Sequence, residues 1–148
     1  MAESTPLRTA LAGFPPRRQA RLLARIGEAL RDGLAALGDD TAEADAAIAL
    51  TACWADGGPA TGRQFSEQVY GEEERGVLRR LTDAADGSAG EALWNALTTA
   101  IMYAAWLVYR EAGERMPGDV AEVDETTLDL LDEQWRATPT YDPALLTD

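Results

Sequence analysis

The chain contains no histidine and no lysine, and its thirteen basic residues are all arginine. Without imidazole, the commonest general base and the commonest nitrogen ligand for metals are both missing. Hydrolytic triads and zinc sites built on histidine are therefore excluded. Cysteine occurs once, as Cys53, with no partner for an internal disulfide, which fits a reducing compartment. Cys53 falls in an apolar helical pattern, so an inert thiol is expected there and not a nucleophile. Phosphate-cradling loops are absent as well: the glycine-rich run GGPATGR, residues 57–63, lacks both the Lys-Ser/Thr ending and a preceding strand. No segment alternates with period two, and Asp56-Gly57 is followed by Gly58-Pro59, which reads as a helix stop and not a hairpin. The opening MAESTPLRTALAGFPPRR has no basic stretch followed by an unbroken apolar core. No secretory signal is expected, and a cytoplasmic location follows as the default.

What is abundant is carboxylate. Twenty-six acidic residues give a formal charge of −13, and the imbalance is uneven along the chain. Residues 1–36 carry six arginines against Glu3, Glu28 and Asp32, a net of +3, whereas residues 37–148 carry a net of −16. The larger part repels phosphate backbones, which argues against nucleic-acid binding, and attracts a basic protein. Hydrophobic residues make up 46% of 148, enough apolar surface for one domain with its own core.

Periodicity makes that domain all-α, a compact bundle of five to six helices. Pro15-Pro16 opens a helix carrying Leu22, Ile26, Leu30, Leu34 and Leu37, closed by Gly38. Asp40 or Thr41 is placed to cap a second, which ends at Gly57-Gly58-Pro59 after Ile48, Leu50, Cys53 and Trp54. Two short helices follow, around Phe65 and Val69 and around Val77, Leu78 and Leu81; GEEER, residues 71–75, between them reads as a helix start favoured by the dipole. A long central helix covers residues 91–116, ended by Pro117-Gly118. A last one, with Asp124 at its N-cap, presents Leu128, Leu131 and Trp135 on one side. Residues 1–138 form the domain; residues 139–148, with two prolines and few apolar anchors, read as a loosely held tail.

The long helix is the most apolar part of the chain. Its uninterrupted apolar run, Ile101 to Tyr109, falls short of the ~20 residues a membrane span needs, so no membrane is expected. At about 100° per residue, Leu93, Leu97, Ile101, Ala104 and Val108 share a core side. The other side collects Asn95, Thr99, Met102, Tyr103, Trp106, Tyr109 and Arg110. Two readings fit it. Either the helix is enclosed all round, with its ring hydroxyls satisfied inside, or Met102, Trp106 and Tyr109 stay partly exposed as an anchor for another protein.

Carboxylates are the remaining route to chemistry. Glu111 and Glu114 lie at one helix end and Asp129, Asp132 and Glu133 on the next, so four carboxylates, Glu111, Glu114, Asp129 and Asp132, could converge on Mg²⁺, as in the all-α nucleotide pyrophosphohydrolases. Acidic pairs three apart are common on solvated helix faces, so the spacing carries little weight. The competing use is recognition: Asp119, Glu122, Asp124, Glu125, Asp129, Asp132 and Glu133 form a run of seven carboxylates with no basic residue until Arg136. Such a run suits a basic partner.

The succession TACWADGG, a short acidic linker, ALWNALTTAIMYAAWLVYREAGE and VDETTLDLL resembles the all-α immunity proteins of bacterial polymorphic toxin systems, specifically immunity protein family six. The resemblance covers roughly residues 20–135, and its most specific piece is Trp94-Asn95 followed by Tyr103-Ala104-Ala105-Trp106 on one helix. It implies a protein that binds and neutralises a toxin domain encoded beside it, with no catalysis and no cofactor. The Arg-rich stretch Pro15–Arg25 has no place in that pattern. The contact residues expected on this reading are the seven carboxylates together with Trp106 and Tyr109.

Overall fold

The computed structural model describes residues 6–71 and 76–147. Glu72 to Arg75, and with them most of the GEEER stretch, lie outside the described residues. The fold is all-α, with eight α-helices among the described residues, six of them seven residues or longer: α1 (Pro6–Leu11), α2 (Pro16–Ala36), α3 (Ala42–Ala55), α4 (Gly62–Tyr70), α5 (Val77–Asp83), α6 (Ala89–Ala112), α7 (Gly118–Ala121) and α8 (Thr126–Arg136). A short 3-10 helix, Pro143–Thr147, follows.

Local chemistry accounts for most of the boundaries. Pro15 and Pro16 start α2, where their missing N–H groups cost nothing. Beyond its end, Gly38 takes a positive φ while the Asp39 amide reaches back to the Leu34 carbonyl. Thr61 and Gln64 form a reciprocal capping box on α4. Ser88 accepts from the Glu91 amide at 3.0 Å to start α6. That helix ends four residues before the Met116 limit read from the sequence. Gly113 adopts a left-handed φ of 68°, and the Glu114 amide folds back on the Tyr109 carbonyl. At α8 the cap also shifts by one: Glu125 is the N-cap, and Asp124 accepts the Thr126 amide at 2.8 Å from just outside the helix.

Helix α6 is the spine. It packs against α2, α3, α4, α5, α7 and α8, and Leu93, Leu97, Ile101, Ala104 and Val108 are all buried, as their spacing predicts. Burying each Leu, Ile or Val stabilises the fold by roughly 1.5–3 kcal/mol. Its polar residues are accommodated locally, for Thr98 donates to the Trp94 carbonyl at 2.8 Å and Thr99 to that of Asn95 at 3.1 Å. By length and composition the 24-residue helix is apolar enough to cross a membrane, which corrects the estimate from its uninterrupted run. The surrounding helices cover that apolar surface instead, with 72% of the span window buried.

The sequence pattern gave no sign of α1. Six residues are too few to hold a helix alone, and docking supplies what propensity does not. Leu7 and Leu11 are fully buried, and the Leu7 amide donates to the Asp132 carboxylate of α8 at 3.0 Å. Past α8, Tyr141 packs edge-on to Trp135 with ring centres 4.6 Å apart. Leu145 and Leu146 are half-buried against the core.

Candidate partner-binding surface

Along the C-terminal half of α6 runs an open groove whose walls come from four places. Tyr103, Trp106, Leu107 and Arg110 of α6 form its floor; Arg8 and Leu11 of α1 and Pro16 and Gln19 of α2 form one bank. Asp124, Glu125, Thr126 and Leu128 at the start of α8 form the other. Apolar rings lie at the bottom and charges of both signs at the rim.

Trp106 is the central ring. It is half-buried, tilted against Tyr103 with 5.2 Å between ring centres, and capped by the Arg110 guanidinium 4.4 Å from its own centre. Tyr103 is buried and donates to the Gln19 amide oxygen at 3.3 Å. Burial, followed by the nearby Glu125 carboxylate, pushes its phenol up to about 12. Met102 is half-buried too. Tyr109, one turn beyond Trp106, has a different fate. It is only 5% exposed, its hydroxyl hydrogen-bonds Ser66 at 3.0 Å, and its ring lies over Gly62, where an added Cβ would come within 2.6 Å. Helix α4 covers it, so the expectation that Tyr109 meets a partner is corrected. The second face of α6 is thus divided between enclosure at Tyr103 and Tyr109 and partial exposure at Met102 and Trp106.

The seven carboxylates from Asp119 to Glu133 separate in the same way. Asp132 is 1% exposed. It accepts from the Leu7 amide and pairs with Arg136, raising the arginine's pKa through the hydrogen bond. Buried there, it clamps α1 to α8. Asp129 and Glu125 share Arg8, at 3.1 and 3.4 Å. Asp119 accepts from the Tyr70 hydroxyl at 2.6 Å; burial, and then that carboxylate, raise the Tyr70 phenol above its ordinary range. Asp124 is held below the usual carboxylate range, first by the Thr126 hydroxyl and then by the Thr126 amide. Glu122 and Glu133 project into solvent.

The four carboxylates weighed as a Mg²⁺ site do not come together. Glu111 is paired with Arg17 at 2.8 Å, Asp129 with Arg8 and Asp132 with Arg136. Glu114 is exposed beyond the end of α6. Among the described residues no group of three or more acidic or cysteine side chains is placed to hold a metal ion. Cys53, expected to sit in apolar surroundings, is exposed, because α3 turns that position away from the core beside Gly58.

Sequence reading placed Arg110 on the face of Trp106 but missed what α1 and α2 bring to this surface. Arg8, Gln19 and Arg110 line the groove, and Arg17 braces it from behind: its guanidinium lies 4.5 Å from the Trp54 ring centre while it pairs with Glu111. The one available signal was the +3 charge of residues 1–36 against −16 in the remainder. The structure realises that asymmetry as ion pairs across the fold.

The sequence model of the family described as immunity protein Imm6 matches residues 18–138. No curated protein and no solved structure matches the chain. The matched span runs from the third residue of α2 through α8 and leaves α1 outside.

Proposed function

Since the chain belongs to the immunity protein Imm6 family, a family of non-catalytic inhibitors that neutralise toxins, we propose that it blocks its own cognate toxin domain by stoichiometric binding through the α6–α8 surface. The observation that carries this reading is Trp106, a large ring left partly exposed on the floor of a groove rimmed by charge. Rings in such positions supply most of the binding energy at protein interfaces. The exposed carboxylates Asp124 and Glu125 give that rim a negative margin, and Glu122 and Glu133 add exposed negative charge elsewhere on the same stretch of chain. A basic toxin surface is drawn to such a margin, which speeds encounter and selects the partner. The cell's cytoplasm is the proposed site of action, where an exposed lone thiol such as Cys53 stays reduced.

The test is co-purification with the toxin domain encoded beside this gene, followed by titration of the purified pair. A one-to-one complex that abolishes toxin activity, and loses about 2 kcal/mol or more of affinity in Trp106→Ala, fits the proposal. A toxin that neither binds nor loses activity defeats it. Full affinity in Trp106→Ala moves the contact elsewhere on the molecule.

A further inference from the structure

A second depression, about 210 Å³ in volume, lies on the outward side of α2 and is lined by Phe14, Arg18, Arg21, Leu22 and Arg25. The three arginines stand three and four residues apart, so they share one helix face. In a chain of net charge −13, such a face has no counterpart in the acidic surface described above. Its arginines are not equivalent. Arg21 reaches Asp56 at 2.7 Å across an exposed rim. Arg17, one position before Arg18, turns away to Trp54 and Glu111. Arg18 instead stacks on Phe14, 4.0 Å from the ring centre, and among the described residues it meets no carboxylate. Stacking holds the guanidinium plane and leaves its N–H edge open, a fork already oriented for a planar oxyanion.

We propose that this face is a second contact for the toxin, in which Arg18 takes a carboxylate from an acidic loop of that protein; the proposal rests on the toxin-neutralising reading. A nucleic acid fits less well, because a polyanion would have to approach against the net −16 of residues 37–148. A single carboxylate on a protein loop meets only the local positive field. With carboxylates presented near α8 and an arginine on α2, the interface is bipolar, and opposite charges at two places fix the orientation in which the toxin docks.

The experiment compares the full-length wild-type protein with Arg18→Ala and Arg18→Lys, titrated against the neighbouring toxin domain, with a melting curve for each variant. Arg18 is exposed, so melting should be unchanged while Arg18→Ala binds about tenfold more weakly. Arg18→Lys should recover only a small part of that loss, since an ammonium neither stacks nor forks. Wild-type affinity in Arg18→Ala, with the wild type itself binding tightly, overturns this proposal and leaves the toxin-neutralising reading standing. Failure of the wild type to bind removes both. A labelled single-stranded RNA that binds at physiological salt and is lost in Arg18→Ala would assign the face to nucleic acid and overturn the proposal as well.

Discussion

Two tryptophans twelve positions apart on one helix, Trp94 and Trp106, show how packing separates a fully enclosed ring from one left partly open. Both lie beside an arginine, Arg80 at 5.4 Å and Arg110 at 4.4 Å from the ring centre. Trp94 is 1% exposed, and its indole N–H donates to Asp39 at 3.2 Å. Trp106 is half-buried on a groove floor. Residue type, helix and neighbouring cation are shared; the difference lies in what the rest of the chain places over each ring. Helix α5 and the end of α2 pack near the first, whereas the second faces the gap between α1, α2 and α8. A ring with its polar edge satisfied inside contributes to stability, and one left at an opening is available for binding.

The sharpest way to break that contrast is Trp94→Ala. Removing a fully buried ring costs about 3–5 kcal/mol, and for a chain of this size the melting temperature should fall by roughly 6–20 °C. Trp106→Ala should lower it by less than half as much, while weakening toxin binding by about 2 kcal/mol, or roughly thirtyfold. Equal melting losses in the two variants would erase the distinction. Calorimetric melts and toxin titrations on the same preparations decide it.

The same contrast runs through the carboxylates. Asp132→Ala leaves the Leu7 amide without its acceptor and frees Arg136, at a cost of about 1–3 kcal/mol. Because the clamp holds a single short helix, amide exchange should accelerate first in α1, before the rest of the molecule opens. Reversing two exposed members, Glu122→Lys with Glu133→Lys, should leave stability within about 0.5 kcal/mol. The same pair should slow association with the toxin several-fold and flatten its salt dependence. An unchanged association rate would place the encounter surface elsewhere.

The last effect is alkaline. Tyr103 ionises near 12 in the folded protein against an ordinary 10.0, so the folded state holds its proton more tightly than the unfolded chain. The stability this confers is fully present below the ordinary value and is lost as pH rises through about 12. Tyr103→Phe should abolish that part of the alkaline slope, measured by denaturation at a series of pH values. One phenolate absorbance step should disappear from the high-pH end of the titration.

Much of the fold was legible because helical periodicity is a local property. Helices α2, α3, α6 and α8 carry their apolar residues at spacings that stay readable without neighbours, and Leu128, Leu131 and Trp135 are buried as read. Helix α1 was not legible. Its two leucines form a pattern too short to stand out, and its stability comes from Asp132 across 125 positions of chain. Cys53 misled for a related reason: Leu50 and Trp54 flank it, but α3 buries Trp54 and leaves the thiol outside. The candidate surface was half legible. Trp106, Arg110 and the carboxylates near Asp124 belong to it, while Arg8 and Gln19 arrive from segments whose relation to them no local pattern records.

By itself the sequence determined composition-level chemistry: no imidazole to drive hydrolysis, a strongly acidic balance, helices with one apolar side, and the motif succession that marks an immunity-protein family. Each of these depends only on residue type and spacing. Tertiary structure alone decided between residues of the same kind, turning Tyr109 under α4 and Trp106 toward the groove, and Asp132 inward while Glu133 faces solvent. Burial is a relation between segments far apart in the chain. Whether a ring or a charge meets solvent is settled by which helix packs over it, so neighbours in sequence can end with opposite roles.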